Sequence, residues 1–261
     1  MKNKKAITKK HASGYIAAVF ADSLRSAGFV CPDDDLLCWY RRRSDEVVNS
    51  IIFRSLWSQL PLFLEIRYGI IPSFAMPVRI KSVVNNDYPD EELFVNAPLA
   101  ENYPNGGTMA RFSLDAQVYA PLQDGRGLYT FEKLILPEMD RIQTIQEAYN
   151  FHKNRRINHP MAKNCPPEQQ FYELSKTFID MALWVDDSDM YEYAAARISQ
   201  QNGLWEALSI KFPQRQIYAQ ELIEWKRLQK VFENKERDSY IAELTQRANR
   251  NAQLLNAKYL I

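Results

Sequence analysis

Residues 62–70 alternate. Leu62, Leu64, Ile66, Tyr68 and Ile70 fall on one side, and Phe63, Glu65, Arg67 and Gly69 on the other. A period of two predicts a strand with one core face and one wetter face. Just upstream, residues 47–57 place Val47, Ile51, Phe53 and Trp57 on one side and Val48, Ile52 and Leu56 on the other. Both faces are largely apolar, so this strand is expected in the centre of a sheet. An earlier run contains Leu37-Cys38-Trp39-Tyr40-Arg41. The polar link Arg41-Arg42-Arg43-Ser44-Asp45-Glu46 is too short for a parallel crossover, so the first two strands should form an antiparallel hairpin. The third strand then extends a meander.

The flanking segments read as helix. Ile16, Val19, Phe20 and Leu24 share one face of a helix expected over 8–27. Gly28 can close it in the left-handed region, and Phe29 returns to the core. After Pro72, four prolines (Pro77, Pro89, Pro98, Pro104) and Asn105-Gly106-Gly107 predict mostly loop, with short strands at 78–84 and 108–118. Beyond the Asp124-Gly125-Arg126-Gly127 turn, Phe131, Leu134, Ile135, Met139, Ile142, Ile145 and Tyr149 recur at helical spacing, with Pro137 as a kink or first-turn residue.

Residues 152–167 are polar, proline-containing and aperiodic, the pattern of a linker. Past them everything is helical. Phe171, Leu174, Phe178 and Met181 form a stripe, Asp187-Ser188-Asp189 can cap a helix over 190–200, and Pro213 suits an early position before a helix over 217–232. The last helix has a seam at Ile241, Leu244, Ala248, Asn251 and Leu255. The expected fold is α+β: an antiparallel β-meander sheet packed with helices over 1–155, followed by an all-helical part over 168–261 packed on it.

Composition narrows the function classes. The chain has 261 residues, 46% of them hydrophobic, enough for a sizeable core. Its 33 basic and 32 acidic residues leave a net charge of +1, without the basic excess of a dedicated phosphate-backbone binder. Cys31, Cys38 and Cys165 are an odd, scattered set, read as free thiols in a reducing, cytoplasmic setting. The lysines before Tyr15 imitate a secretion signal, but the apolar run that follows stops at Asp22, so an amphipathic helix is the better reading. No run is long enough for a membrane span, and a soluble protein is expected.

Candidate chemistry is sparse. His152, His159 and Cys165 are spaced too widely for a zinc finger, and an exposed linker with incidental histidines is preferred; no metal or cofactor is expected. Asp33-Asp34-Asp35 and the set Asp180, Asp186, Asp187 and Asp189 lack the glycine and glutamate of a calcium loop, so helix capping is preferred. Neither glycine-rich turn has the P-loop or dinucleotide spacing, and there is no nucleophile elbow. Arg41, Arg42 and Arg43 beside Trp39 and Tyr40 could stack on bases, although consecutive strand residues point to opposite faces and solvated hairpin-end charge is favoured. Trp184, Tyr191, Tyr193, Trp205, Phe212, Tyr218 and Trp225 gather aromatic surface in the helical part, with core packing as the default and a peptide groove as the alternative.

The order of helix, Gly28-Phe29, acidic turn, Leu37-Cys38-Trp39-Tyr40-Arg41, residues 48–56 and Leu62-Phe63-Leu64-Glu65-Ile66-Arg67-Tyr68-Gly69 resembles a bacterial family of small α+β domains of unknown function. The match covers about residues 8–72. It implies a helix packed on an antiparallel sheet and carries no catalytic residue, and the helical second half departs from those shorter chains.

The expected function is therefore a non-enzymatic cytoplasmic binding or regulatory module, an immunity-like role being one form of it, with a protein rather than nucleic acid or membrane as partner. Its candidate binding residues are Trp39, Arg41, Arg54, Arg67, Tyr191, Trp205 and Trp225. The alternative is an enzyme whose polar groups converge in three dimensions, with a carboxylate beside Arg54 or Arg67 on the sheet.

Overall fold

A computed structural model describes residues 9–31, 37–55, 63–75, 94–96, 111–113, 128–129, 131–157 and 174–259. The expected strand at 78–84, both glycine-rich turns, Asp33-Asp34-Asp35, His159, Cys165 and Phe171 lie outside them, as do the side chains of Leu64 and Leu255. The chain divides into two compact units: Met1–Thr144 with Asn249–Ile261, and Ile145–Ala248.

The first unit is the α+β part. Its opening helix is broken rather than continuous, α1 spanning Lys9–Val19 and α2 Ala21–Ser26. The break falls at Phe20, whose φ of −110° and ψ of −29° stay in the right-handed helical region but open the turn. Its ring is fully buried, 5.0 Å from that of Phe53. Gly28 closes α2 at φ +83°, the Phe29 amide donating to the Leu24 carbonyl and the Gly28 amide to that of Arg25. This paired closure is a Schellman motif, and it returns Phe29 to the interior as its sequence predicts.

Strands β1 (Cys38–Arg42), β2 (Val47–Ser55) and β3 (Phe63–Pro72) form the expected antiparallel meander. In the hairpin between β1 and β2, the Ser44 hydroxyl accepts from the Glu46 and Val47 amides at 3.1 and 3.0 Å. The free edge of β3 carries two short strands, β4 (Phe94–Asn96) beside Arg67–Gly69 and β5 (Arg111–Ser113) beside Phe63–Glu65. β5 lies within the expected run at 108–118. β4 falls where loop was expected, because three residues are too few to show a period.

Register places Trp39, Arg41, Asn49, Ile51, Phe53, Ile66, Tyr68 and Ile70 on one face. Cys38, Tyr40, Val48, Ser50, Ile52, Gly69 and Ile71 share the other. β2 is buried on both faces from Val47 to Phe53, as its apolar pattern requires, and the polar Asn49 and Ser50 are fully enclosed with it. The wetter face expected for β3 is only partly so: Arg67 is half-buried, while Gly69 is enclosed.

Helical spacing from Phe131 onward is divided by geometry. A π-turn at Phe131–Ile135 leads into α3 (Leu136–Arg141), with Pro137 in its first turn, and Ile142 then adopts extended backbone. The second unit opens with α4 (Ile145–Ile157), so residues 152–157 of the expected linker are helix and His152 is buried. Its remaining helices are α5 (Lys176–Val185), α6 (Tyr191–Lys211), α7 (Gln216–Asn234) and α8 (Arg237–Tyr259), the last continuing into the first unit.

α6 is longer than expected, and no side chain caps it at Met190; the Asp187 carboxylate is occupied elsewhere. Pro213 lies in the turn before α7 rather than within it. α6 and α7 run antiparallel, joined by Asn202 to Gln229 at 2.7 Å and Lys226 to Glu206 at 3.3 Å. Along α8 the buried line is Tyr240, Leu244, Ala248 and Asn251, with Tyr240 replacing the expected Ile241.

Candidate functional site

The arginine cluster on β1 is divided by strand alternation. The Arg41 side chain is only 12% exposed and pairs with Asp140 of α3 at 2.7 Å. It also donates to the Asn49 side chain at 2.8 Å and to the Ala27 carbonyl, an acceptor at the end of α2, at 3.1 Å. The guanidinium carbon stands 4.8 Å from the centre of the Phe29 ring. Burial holds its pKa below the ordinary arginine value, against the opposing pull of Asp140. This fork is spent on joining a helix end, two strands and α3, so the solvated charge expected here is corrected to a structural anchor. Arg42 is exposed and pairs with Asp45, and Arg43 donates to the Asp140 carbonyl.

Trp39 is 1% exposed and Trp225 5%; both belong to the interior and present no face to a partner. Arg67 sits mid-strand opposite Ile52 and Asn96. Arg54 opposes Glu65 in the same ladder, and its side chain lies outside the described residues.

The sharpest polar convergence is one the sequence reading missed. Lys176, at the start of α5, bonds Asp180 one turn later at 3.2 Å and Glu224 of α7 at 3.3 Å. The Tyr240 hydroxyl of α8 donates to the other Asp180 oxygen at 2.8 Å, and Arg247 approaches Glu224 at 3.7 Å. Burial alone would lower the Lys176 pKa, but the two carboxylates overcome it and hold the ammonium above its ordinary value. Burial and Asp180 together push the Tyr240 phenol far up. A lysine nucleophile or tyrosine base needs shifts of the opposite sign. The group acts as a fastener between three helices. Glu221 beside it is raised by burial and by Glu224, against Lys176 and a hydrogen bond from Trp225. The Lys176–Asp180 spacing of four was visible in the sequence, whereas Tyr240 comes from another helix.

A second junction explains the acidic cluster. The Asp187 carboxylate accepts from Tyr149 at 2.6 Å and from Lys153, and its acidity is set by burial opposed, more strongly, by those two donors, which hold it below the usual range. Tyr191 donates to Asp186 at 2.6 Å and sets its ring edge against Phe232; burial, then Asp186, push its phenol up to about 12. These aspartates take ion pairs and phenols in place of the expected caps. Among the described residues, no group of three or more His, Cys, Asp or Glu could hold a metal ion.

The end of the α6–α7 hairpin differs from both networks. Trp205 is half-buried with its ring 5.9 Å from that of Tyr218, which is 6.1 Å from Phe212. Around these rings the apolar side chains turn outward: Ile210 is 77% exposed and Ile217 53%, one on each side of the interhelical turn. Ile223 is exposed further along α7. Of these, only Ile223 carried a sequence signal, since it falls out of phase with the buried Trp225, Leu228 and Val231, whereas Ile217 shares their phase.

Among the described residues, no helix is long and apolar enough to cross a membrane. No family model, no curated protein and no solved structure matches the chain.

Proposed function

We propose that the chain is a non-enzymatic binding or regulatory module that engages a protein partner through the end of its α6–α7 hairpin. The observation that carries this reading is the outward placement of Ile210 and Ile217 beside an aromatic cluster. Large aliphatic side chains at that exposure lose hydration cost when covered, about 1.5 to 3 kcal/mol for each one fully buried. The polar networks support the same reading. Lys176 and Tyr240 are drawn away from neutrality, where acid–base catalysis operates.

In this proposal the sheet unit is the scaffold, consistent with the resemblance of residues 8–72 to bacterial α+β domains of unknown function. A reducing, cytoplasmic setting is supported by the odd, scattered set of three cysteines. An immunity-like role fits such a module.

The test is site-specific photo-crosslinking in cells, with the reactive residue placed at Ile217 and, as control, at the exposed Ala196 of α6. A defined adduct at Ile217, absent at Ala196 and lost when the folded protein also carries I210D, is the expected result. Equal labelling at both positions would refute the assigned surface.

A further inference from the structure

The stretch from Ala207 to Gln220 contains no acidic residue, and Lys211 and Arg215 give it a charge of +2. This basic interval is bounded by Glu206 and Glu221, in a chain whose net charge is only +1. The Lys211 ammonium lies 5.4 Å from the centre of the Phe212 ring and the Arg215 guanidinium 5.7 Å from it. Arg215 also stands 5.8 Å from the Tyr218 ring and donates one N–H to its hydroxyl at 3.0 Å. Both cations are exposed, and among the described residues neither forms an ion pair with a carboxylate. Aromatic rings hold them in place without neutralising them.

Two fixed cations, framed by the exposed Ile210 and Ile217, match a ligand with carboxylates interleaved with apolar side chains. We propose that the turn between α6 and α7 docks an acidic, apolar segment of a partner protein. The inference rests on the binding reading above and names the chemistry of its partner.

A lipid surface fits less well. Polybasic membrane recognition draws on about four to eight Lys or Arg residues, each worth about 1 kcal/mol. The turn offers two. Nucleic acid meets the same shortage of cations.

The experiment titrates the full chain with three probes and follows backbone amide shifts by NMR. The first is a short synthetic peptide with Asp and Glu interleaved with Leu and Phe; the second replaces each acid by Asn or Gln; the third is phosphatidylglycerol vesicles. The acidic peptide should shift amides around residues 210–218. Its affinity should fall by about tenfold or more in K211E/R215E and weaken with added salt. I210S/I217S should weaken both peptides. Equal affinity for the neutral peptide, undiminished binding by K211E/R215E, or binding to vesicles alone would overturn the proposal. Failure here with the Ile217 crosslink intact removes only the acidic assignment; loss of that crosslink removes the binding reading too.

Discussion

The Asn251 side chain, on α8, donates to the backbone carbonyl of Ser73 at 2.8 Å and to that of Phe74 at 3.3 Å, across 178 residues of sequence. Those carbonyls belong to the 3-10 turn at Ser73–Ala75 that follows β3, and Asn251 is 5% exposed. A polar residue in an otherwise apolar seam thus closes the end of the sheet's third strand. Asn251→Leu should destabilise the protein by about 1 to 3 kcal/mol, because it strands buried acceptors without removing them. Urea unfolding of the full chain measures this, and an unchanged midpoint would disprove the role.

Ile66 is 1% exposed and lies opposite Phe53 in the centre of the sheet. Ile66→Asp forces a carboxylate into that interior and should cost about 4 kcal/mol or more, enough to lose cooperative folding. Ile66→Val should cost about 1 kcal/mol and keep it. Thermal melts followed by circular dichroism separate the two, and a melting temperature for the Asp variant equal to wild type would contradict the inward face.

Arg41 supplies a planar fork to Asp140, Asn49 and Ala27 at once. Arg41→Met should lose about 2 kcal/mol, a value held down by the 44% exposure of Asp140, which water can rehydrate. Arg41→Lys should recover only part of it, since an ammonium cannot span the three acceptors. Chemical denaturation of both variants is the check; full recovery by Lys would show that charge alone matters.

Tyr191 carries a folded-state pKa pushed up to about 12 from 10.0, by burial and then by Asp186; Tyr149 and Tyr240 move in the same direction, each by burial first and its aspartate partner next. A raised folded value means that the unfolded chain loses the proton first. The contribution is whole below about pH 10 and declines as pH rises through the folded values. Unfolding free energy should therefore fall from pH 10 toward pH 12. The decline should be shallower in Tyr240→Phe, and an identical slope in that variant would argue against the assignment.

Local order carried much of the architecture. The alternation of Ile66, Tyr68 and Ile70 and the two-sided apolar run from Val47 to Phe53 predict a hairpin and a central strand, because a pleated backbone sends neighbours to opposite faces whatever surrounds it. Gly28 was equally plain, as its helix needs a residue that tolerates positive φ. The α+β class followed by helices rests on these short-range rules. The candidate surface was half visible: Phe212 and Tyr218 stood out as aromatic, while Ile210 and Ile217 were hidden inside ordinary helical composition.

Partnership across distance had no such signature. Nothing near Trp39 or Trp225 in the chain distinguishes an enclosed indole from one that meets a ligand, and nothing near Arg41 announces Asp140. The enclosure of Lys176 depends on Asp180 within its own helix but equally on Glu224 and Tyr240 from two others. Burial and ion pairing arise from which faces meet, and that depends on packing among segments far apart in sequence. A helix period reports only that a stripe is apolar. Why Ile210 and Ile217 stand in solvent while Leu228 is enclosed is settled by where neighbouring helices end.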